Sequence, residues 1–408
     1  MAQLNPFKGI RPPKHLAHLV ASRSYLEYSP EDLKSKLKGN PFTFLHIIHP
    51  ENHLEKSKRV QGHEKFEKVR EKFQNFCEQQ WLEKDNITHF YLYRQSHAEK
   101  SFLGLIAGVS VNEYIKGNIK KHEATLPKKE ELFSNYLNIC GFNAEPVLLT
   151  YPDREEINAC FESYTAKDPD YDFSTTNKDR HELWLIDKPE ELKKIEGFFA
   201  DIPSLYIADG HHRSASSSKL YQDHYARQKD HPTAFYMACL IPESQLKISA
   251  FNRIIYCDFE LNEDDLMSKL KTHFEVKSIQ NPEKELGENS MRMLFRTQWF
   301  DLHLKSETYK INSPVDKLDA ELLSKTILEP ILDIQDIKND KRVEFFSDLE
   351  SKSSIETKLE TEKNAIAFFL KPVDINLLKE IADKELIMPP KSTYIEPKLR
   401  SGLIIYEY

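Results

Sequence analysis

Hydrophobic and polar residues alternate along this chain with two different periods, which predict both helices and strands. In the run HEKFEKVREKFQNFCEQQWLEKD (63–85), apolar side chains from Phe66 to Trp81 recur at nearly helical spacing, so we predict a helix with one buried face. The apolar runs at 89–95 and 101–114 are typical of buried strands. This part of the chain therefore predicts one amphipathic helix followed by two strands.

Strand and helix patterns continue to alternate as far as the C-terminus. Further strands are predicted at AEPVLLTYP, HELWLID, SLYIAD, TAFYMACLIP and SAFNRIIYCDF, and further helices after Pro127 and in KPEELKKIEGFFADIP. Near residue 260 the composition becomes more acidic and helical. We therefore predict an α/β (α+β) fold, with an N-terminal α/β region (1–86), a core region (87–256) and a C-terminal α/β region (257–408).

The composition narrows the classes of function that the chain can have. A net charge of -8, from 57 basic and 65 acidic residues among 408, argues against a broad nucleic-acid surface. No apolar run reaches the ~18 residues that span a membrane, and the first residues show no signal-peptide core. The five cysteines are scattered without a CxxC pair. We therefore expect a cytoplasmic protein in a reducing compartment that binds neither nucleic acid nor membrane.

The stretch YIADGHHRSAS (206–216) carries the most specific chemistry in the sequence. An apolar strand ends at Asp209, and Gly210 separates it from a predicted helix that starts with two histidines and an arginine. The first N–H groups of a helix have no partner within it and bind anions, above all phosphate. Glycine lets the backbone approach a ligand closely, and arginine grips phosphate with two donors. We predict a phosphate site at this junction.

Two other interpretations of this stretch stay open at the level of the residues. Asp209 could be a simple N-cap, with the histidines half-exposed on the helix. A metal site is less well supported, because adjacent histidines point about 100° apart on a helix and no cysteine or carboxylate spacing completes a ligand set. The HEATLP segment lacks the second histidine of a zinc-protease motif. Eleven glycines form neither a GxGxxG nor a GxxxxGKS motif.

Three segments resemble, in order, the motifs of free serine kinases with a ParB/sulfiredoxin-like fold. They are IKKHEATLPKKEELF, ADGHHR and LIMPPKSTYIEPKL. The whole chain also resembles a longer bacterial family known only as a domain of unknown function, through FKGIRP, NPFTFLHIIHPE, KKHEAT, ADGHHR and PPKSTYIEPKLRSGL. The resemblance implies that residues 87–256 form a ParB/sulfiredoxin-like phosphate-binding core, and that the C-terminal region completes the substrate pocket.

The resemblance and the chemistry of phosphoryl transfer together imply roles for individual residues. Glu123 would be the catalytic base, and Asp209 would bind Mg²⁺ or orient the acceptor hydroxyl. The predicted phosphate ligands are Gly210, His211, His212 and Arg213, and the predicted substrate ligands are His122, Lys391, Ser392 and Thr393. Lys398 and Arg400 are weaker candidates for the substrate role, and Arg11 and Arg23 are cations whose place in the pocket the sequence does not fix.

The expected function is a kinase that phosphorylates free L-serine to O-phospho-L-serine, with ADP or ATP as donor and Mg²⁺ as cofactor. The reaction could also run toward serine, because its direction follows metabolite ratios. Two alternatives stay open: a nucleotide- or phosphoserine-binding regulator without catalysis, and a kinase of another small hydroxyl metabolite. Residues outside 87–256 could cover the site, form a homodimer interface or alter acceptor choice.

Two other classes of protein carry a related motif but use it for different chemistry, and this chain lacks what each of them needs. Sulfiredoxin-type reductases need a cysteine where this chain has His211, and ParB-type proteins need a basic DNA-binding helical domain that this acidic chain lacks.

Overall fold

The computed structural model describes residues 2–24, 27–51, 60–228, 230–348, 350–362 and 364–408. The chain forms two compact units: unit 1 comprises Met1–Leu246 and Pro397–Tyr408, and unit 2 comprises Lys247–Glu396. Both contain helices and sheets, which confirms the predicted α/β class. Unit 1 takes in residues from all three of the predicted regions, and the roles given to 1–86, 87–256 and 257–408 stay predictions.

The strands of the described residues are, in chain order, β1 (Leu4–Asn5), β2 (Ile10–Arg11), β3 (Glu83–Lys84), β4 (Phe90–His97), β5 (Lys100–Ser110), β6 (Ile119–Lys120), β7 (Phe142–Asn143), β8 (Val147–Tyr151), β9 (Tyr171–Ser174), β10 (Arg180–Ile186), β11 (Leu205–Asp209), β12 (Phe235–Pro242), β13 (Lys247–Tyr256), β14 (Phe274–Ile279), β15 (Ser290–Phe295), β16 (Gln298–Leu304), β17 (Val343–Ser347), β18 (Ala365–Phe369), β19 (Thr393–Glu396) and β20 (Tyr406–Glu407).

The α-helices are α1 (Ala17–Val20), α2 (Pro30–Gly39), α3 (Leu45–Ile48), α4 (Gly62–Glu78), α5 (Val111–Ile115), α6 (Pro127–Cys140), α7 (Glu155–Thr165), α8 (Pro189–Ala200), α9 (His211–Leu220), α10 (Glu263–His273), α11 (Asp319–Leu323), α12 (Lys352–Glu360) and α13 (Ile375–Asp383). Short π-helical segments extend α9 and α11 at Tyr221–Tyr225 and Ser324–Leu328. None of these described helices is both long and apolar enough to cross a membrane.

Unit 1 is built around a mixed nine-stranded sheet. Its strands lie in the order β6-β11-β8-β12-β5-β4-β10-β9, with β1 paired to β5. The pairs β11–β6 and β12–β8 are parallel, and the other pairs are antiparallel. β8 and β12 are buried along nearly their whole length, as expected for strands with both neighbours in place and apolar residues on both faces.

Small residues let α9 lie close to its neighbours in unit 1. Helix α9 packs against α6 and α5. Its inner positions are Ala215 and a series of buried serines, followed by the buried Leu220 and Tyr221. Serine and alanine side chains leave room for close helix contact, so the start of α9 is held against the core rather than exposed.

Unit 2 contains a separate antiparallel sheet with its own core. Its strands lie in the order β14-β16-β15-β18-β13-β17, and β19 pairs with the first part of β13. Leu266 and Leu270 of α10 are buried against this sheet, which matches the four-residue spacing of an amphipathic helix. Asn262 caps α10 by accepting a hydrogen bond from the Asp265 backbone N–H.

One predicted strand is too long. The apolar run at 101–114 is a strand only as far as Ser110, and residues 111–115 form α5. Asn118 donates a side-chain hydrogen bond to Glu113, and the Asn118 backbone N–H bonds to the Glu113 carbonyl. These local bonds fix a turn that the hydrophobic pattern could not indicate.

Candidate functional site

The candidate site lies in unit 1, around the loop that follows β6 and the C-terminal end of β11. The two strands are parallel neighbours, with Leu205 opposite Ile119 and Tyr206 opposite Lys120. Because parallel strands end at the same edge of a sheet, the loops that follow them are adjacent, and ligands gather at such edges. The loop after β6 carries His122 and Glu123, and β11 leads directly into Gly210 and α9.

Gly210 makes the turn from strand to helix. Its φ of +102° is rarely adopted by residues with a side chain. A Cβ atom built on Gly210 would lie 2.9 Å from the Arg213 Nε atom. The register shift between Ile207 and Asp209 indicates a β-bulge just before the turn, and bulges redirect the side chains that follow them. Asp209 is therefore the last strand residue and not the helix cap, because the cap position belongs to Gly210.

Asp209 is the centre of a group of ion pairs. Its Oδ2 atom accepts from Arg213 Nη2 at 2.8 Å, and its Oδ1 atom accepts from Lys398 Nζ at 3.2 Å. Arg213 Nη1 also contacts Glu145 Oε1 at 2.5 Å and donates to the Pro146 carbonyl at 2.8 Å. We call Asp209, Arg213, Lys398 and Glu145 the ionic network. It contains two carboxylates and two cations, so its formal charges balance.

The cations of the ionic network keep Asp209 charged. Burial alone raises the pKa of Asp209, but the nearby Lys398 and Arg213 charges and their hydrogen bonds outweigh burial and hold it below its ordinary value. The side chain of Asp209 is still 39% exposed. Solvent screening therefore limits the stability that these pairs contribute to about 1 kcal/mol each or less.

A second group of side chains lies at the same sheet edge. His211 Nδ1 is 3.4 Å from Glu123 Oε2, and the His122 backbone N–H donates to His211 Nε2 at 3.4 Å. The rings of His122 and His211 meet edge to face with centroids 4.5 Å apart. We call His122, Glu123 and His211 the imidazole cluster. Both rings are buried, whereas the Glu123 side chain is 46% exposed and so accessible to a ligand.

Burial keeps both rings of the imidazole cluster uncharged near neutral pH. It lowers the pKa of His122 to about 4, although the Asp209 charge acts in the opposite direction. The pKa of His211 is lowered well below its ordinary value, first by burial and then by neighbouring positive charges. Among the described residues, neither ring nitrogen of His122 has a hydrogen-bond partner.

The side chains of the site fit a resident Mg²⁺ poorly. Mg²⁺ prefers oxygen ligands in octahedral geometry, but Asp209 and Glu145 already bind cations. His122, Glu123 and His211 offer three potential ligand atoms within 4.8 Å of one another, and a set with two imidazoles suits transition metals better than Mg²⁺. The metal role of Asp209 stays a prediction, and it would require the ion pairs of the ionic network to open.

Six of the residues predicted for the site therefore lie together in unit 1: His122, Glu123, Asp209, Gly210, His211 and Arg213. His212 follows in the first turn of α9 and is half-buried, and its carbonyl accepts from Ser216 Oγ. Of the weaker candidates, Lys398 contacts Asp209, whereas Arg400 pairs with Asp179.

The two N-terminal arginines each have a side-chain partner, and their place in the pocket stays a prediction. Arg11 pairs with Asp85 at 2.7 Å and contacts Tyr171, and Arg23 lies over the ring of Tyr28.

The predicted residues Lys391, Ser392 and Thr393 lie in unit 2. The Lys391 backbone has φ of +57°, and its carbonyl accepts from the buried Arg253 Nη2 at 3.1 Å. Ser392 is buried and donates to the Pro389 carbonyl. Thr393 starts β19, opposite Ala250 of β13. The loop is thus held in a defined conformation, and its substrate role stays a prediction.

Sequence reasoning missed Glu145. It occupies the turn before β8, which is a neighbour of β11, and it is joined to Arg213 and also accepts from Ser401 Oγ at 3.0 Å. No local motif marks it. The available signal was the position of an acidic residue just before a buried strand, since charged residues at strand ends gather at one sheet edge.

Comparison with known proteins matches this chain to one family and to several solved structures of low sequence identity. Residues 4–321 match the family described as "Protein of unknown function (DUF1015)". No protein in a search of curated sequences matches the chain.

Among solved structures, a C-terminally truncated SbnI from Staphylococcus aureus is 11% identical, with a TM-score of 0.38, and the match covers 73% of this chain and 85% of that one. A free serine kinase in complex with AMP is 14% identical, with a TM-score of 0.34 and coverage of 74% and 91%. A conserved hypothetical protein from Pyrococcus furiosus is 14% identical, with a TM-score of 0.32 and coverage of 72% and 91%.

Proposed function

This chain belongs to the DUF1015 family of proteins of unknown function, and we propose that it is a nucleotide-dependent phosphotransferase whose acceptor is the hydroxyl of free L-serine. One observation carries the proposal: Glu123, a half-exposed carboxylate, lies within 3.4 Å of the first residue of α9. A base and an anion-binding helix start are therefore adjacent. The motif resemblance of the same two segments to serine kinases supports serine as the acceptor.

The start of α9 supplies the groups that phosphate requires. Backbone N–H groups from Gly210 to His212 precede the first intrahelical hydrogen bond, which runs from the Ser214 N–H to the Gly210 carbonyl at 3.0 Å. The helix dipole adds partial positive charge there. Arg213 and Lys398 place two cations beside the same turn. Such an arrangement suits the terminal phosphates of a nucleoside di- or triphosphate.

Glu123 is the proposed general base. In the forward direction it accepts the serine hydroxyl proton while the serine oxygen forms a bond to the terminal phosphorus of the donor. The bond between that phosphorus and the bridging oxygen breaks, so that ADP leaves as AMP, or ATP leaves as ADP. In reverse the protonated carboxyl returns the proton to the serine oxygen. General-base catalysis of this kind contributes about 10²–10⁴-fold in rate.

The ionic network explains how the site stays stable before a nucleotide binds. Arg213 and Lys398 are neutralised by Asp209 and Glu145, so no bare cationic cluster has to be maintained. An incoming phosphate would compete with these carboxylates for the same donors. We expect binding to weaken with rising salt, because the contacts are charge-assisted and partly exposed.

The experiment that tests the proposal is a bidirectional assay with the purified full chain. L-serine and Mg²⁺ are incubated with ADP or with ATP, and O-phospho-L-serine is measured by ³¹P NMR and mass spectrometry. The reverse assay starts from phosphoserine with AMP or ADP. Phosphoserine formation or consumption is the expected result. Turnover of a different hydroxyl compound, but not serine, would overturn the acceptor assignment, and tight nucleotide binding without any turnover would favour a regulator.

A further inference from the structure

The ring of His211 has a defined tautomer, which follows from what its two nitrogens face. Nε2 accepts a long hydrogen bond, 3.4 Å, from the backbone N–H of His122. A backbone N–H can only donate, so Nε2 must present its lone pair. In a neutral imidazole the other nitrogen then carries the hydrogen. The proton of His211 therefore sits on Nδ1.

The surroundings of His211 keep this ring neutral. Its side chain is only 3% exposed, so water cannot solvate an imidazolium ion. The ionisable groups that act on it from the neighbouring elements are the side chains of His122, His212, Lys121 and Arg213, and each of them lowers its pKa in addition to burial. The carboxylate of Glu123 also faces the ring, from the loop after β6.

The Nδ1 atom of His211 lies beside the proposed base. Nδ1 lies 3.4 Å from Glu123 Oε2, slightly beyond an ordinary hydrogen bond, and such catalytic contacts often shorten when substrate binds. We infer that His211 is a positioning residue that holds the Glu123 carboxylate through a neutral Nδ1–H, and that its ring is not a phosphate ligand. This inference rests on the proposed function for the role of Glu123 as a base. The tautomer of His211 and its contact with Glu123 do not depend on that function.

The inference reassigns one residue of the phosphate motif. Nε2 of His211 accepts from the His122 backbone and Nδ1 lies beside Glu123, so a phosphate would meet the backbone N–H of His211 rather than its ring. A neutral donor also suits a base better than a cation does. A cation beside Glu123 would stabilise its charged form and weaken it as a base, as the cations beside Asp209 lower the pKa of that carboxylate.

The same three side chains could instead bind a metal ion, and the geometry weighs against that alternative. Nδ1 of His211 would have to offer its lone pair to the ion, which moves the proton to Nε2. That proton would then point at the His122 N–H, so that two hydrogen-bond donors would face each other, which is unfavourable. A ring that is already fixed by a backbone donor is therefore a poor ligand at Nδ1, and metal binding becomes an outcome that the test must distinguish.

The direct test is ¹⁵N NMR of the full chain labelled at histidine, with the His211 signals assigned by their loss in His211→Asn. Between pH 6 and 8 we expect a protonated Nδ1 and an unprotonated Nε2. Glu123→Gln should shift the Nδ1 signal, whereas the matched change Glu131→Gln, at an exposed site on α6, should not. A cationic ring, a proton on Nε2, or displacement of the Nδ1 proton by one equivalent of Zn²⁺ would each overturn the inference.

A second test asks whether the donor itself matters for turnover. The side-chain amide nitrogen of asparagine lies near the place of Nδ1, and that of glutamine lies near Nε2. His211→Gln should lower phosphoserine formation about 10²-fold by misplacing the base, and His211→Asn should recover most of the loss. His224→Asn, at an exposed position, is the control. Equal losses in both variants with intact folding would overturn the inference, whereas an inactive wild-type chain with the expected tautomer would count against the proposed function alone.

Discussion

The two halves of the candidate site treat a carboxylate in opposite ways. In the ionic network, Asp209 is surrounded by Arg213 and Lys398 and is held in its charged form. In the imidazole cluster, Glu123 meets a buried ring that burial keeps uncharged. Both halves are attached to the same strand-to-helix junction. The junction is common to both carboxylates. Which of them can accept a proton therefore depends on the side chains that other segments of the chain place beside it.

We infer that the imidazole cluster and the ionic network have different roles. A carboxylate neutralised by two cations is a weak base, but the cations beside it can bind phosphate. A carboxylate beside neutral imidazoles can accept a proton, yet offers no charge to an anion. We therefore expect changes in the imidazole cluster to affect turnover, and changes in the ionic network to affect nucleotide affinity.

The largest effect should come from removing the proposed base. Glu123→Gln keeps the shape of the side chain but cannot accept a proton, so kcat should fall about 10²–10⁴-fold. Nucleotide affinity, measured by calorimetric titration, should change little, because the ionic network is intact. Glu131→Gln is the matched control. A large loss of affinity in Glu123→Gln would show that the two halves do not act separately.

As the pH falls, the imidazole cluster should lose its contribution to stability at a higher pH than the ionic network does. His122 has a pKa of about 4 in the folded chain and near 6.5 when unfolded, so the unfolded chain binds the extra proton between these values. This contribution lowers the free energy of unfolding as pH falls from about 6.5 to 4, by about 1.4 kcal/mol per pH unit for one proton. Asp209 has a depressed pKa, so its contribution is lost only as pH falls below its ordinary value of 3.8.

Urea unfolding across this pH range measures the effect. His122→Phe removes the titrating group and keeps an aromatic ring, so the dependence of stability on pH between 6.5 and 4 should become shallower than in the wild type. The buried His181, whose pKa is lowered to about 3 by burial and by Arg400, contributes equally to both proteins and cancels in the difference. Identical slopes would mean that His122 is not held neutral.

Gly210→Ala should disturb the junction that the two halves share. The positive φ costs an alanine about 1–2 kcal/mol, and its Cβ would lie 2.9 Å from the Arg213 Nε atom, whose flexible side chain can move away. We expect a loss of about 1–3 kcal/mol in the free energy of unfolding together with weaker nucleotide binding. Gly197→Ala is the control of opposite sign, because this glycine lies inside α8 with open space around it and should gain up to about 1 kcal/mol.

The sequence predicted the local parts of the site better than the distant ones. The apolar spacing around Phe73 predicted α4, and the apolar run before Asp209 predicted β11 and the turn at Gly210. These features depend on a few consecutive residues. Glu145 and Lys398 reach the site from segments far away in the chain. Which charges meet there depends on strand order, and a single sequence does not encode strand order in any local pattern.

The same limit applies to the contacts of His211. Its place after Gly210 indicated a phosphate ligand, because histidine at a helix start is a plausible anion donor. Its actual surroundings come from the loop after β6, which is adjacent only because β6 and β11 pair in parallel. The division of the chain into units was likewise not visible in composition, since residues 397–408 belong with the first unit.

The smallest effect on stability should accompany a clear effect on binding. Lys398→Met keeps the aliphatic length of the side chain and removes one cation from Asp209, which retains Arg213 at 2.8 Å. Because this pair is partly exposed, the free energy of unfolding should change by no more than about 1 kcal/mol. Nucleotide affinity at low salt should fall, and its dependence on salt should become shallower, because one charged contact is missing. Lys116→Met, which removes a lysine paired with Glu113 on α5, controls for net charge. If Lys398→Met bound nucleotide as well as the Lys116→Met control while turnover fell, Lys398 would serve the chemical step rather than binding, and the assignment of affinity to the ionic network would have to be abandoned.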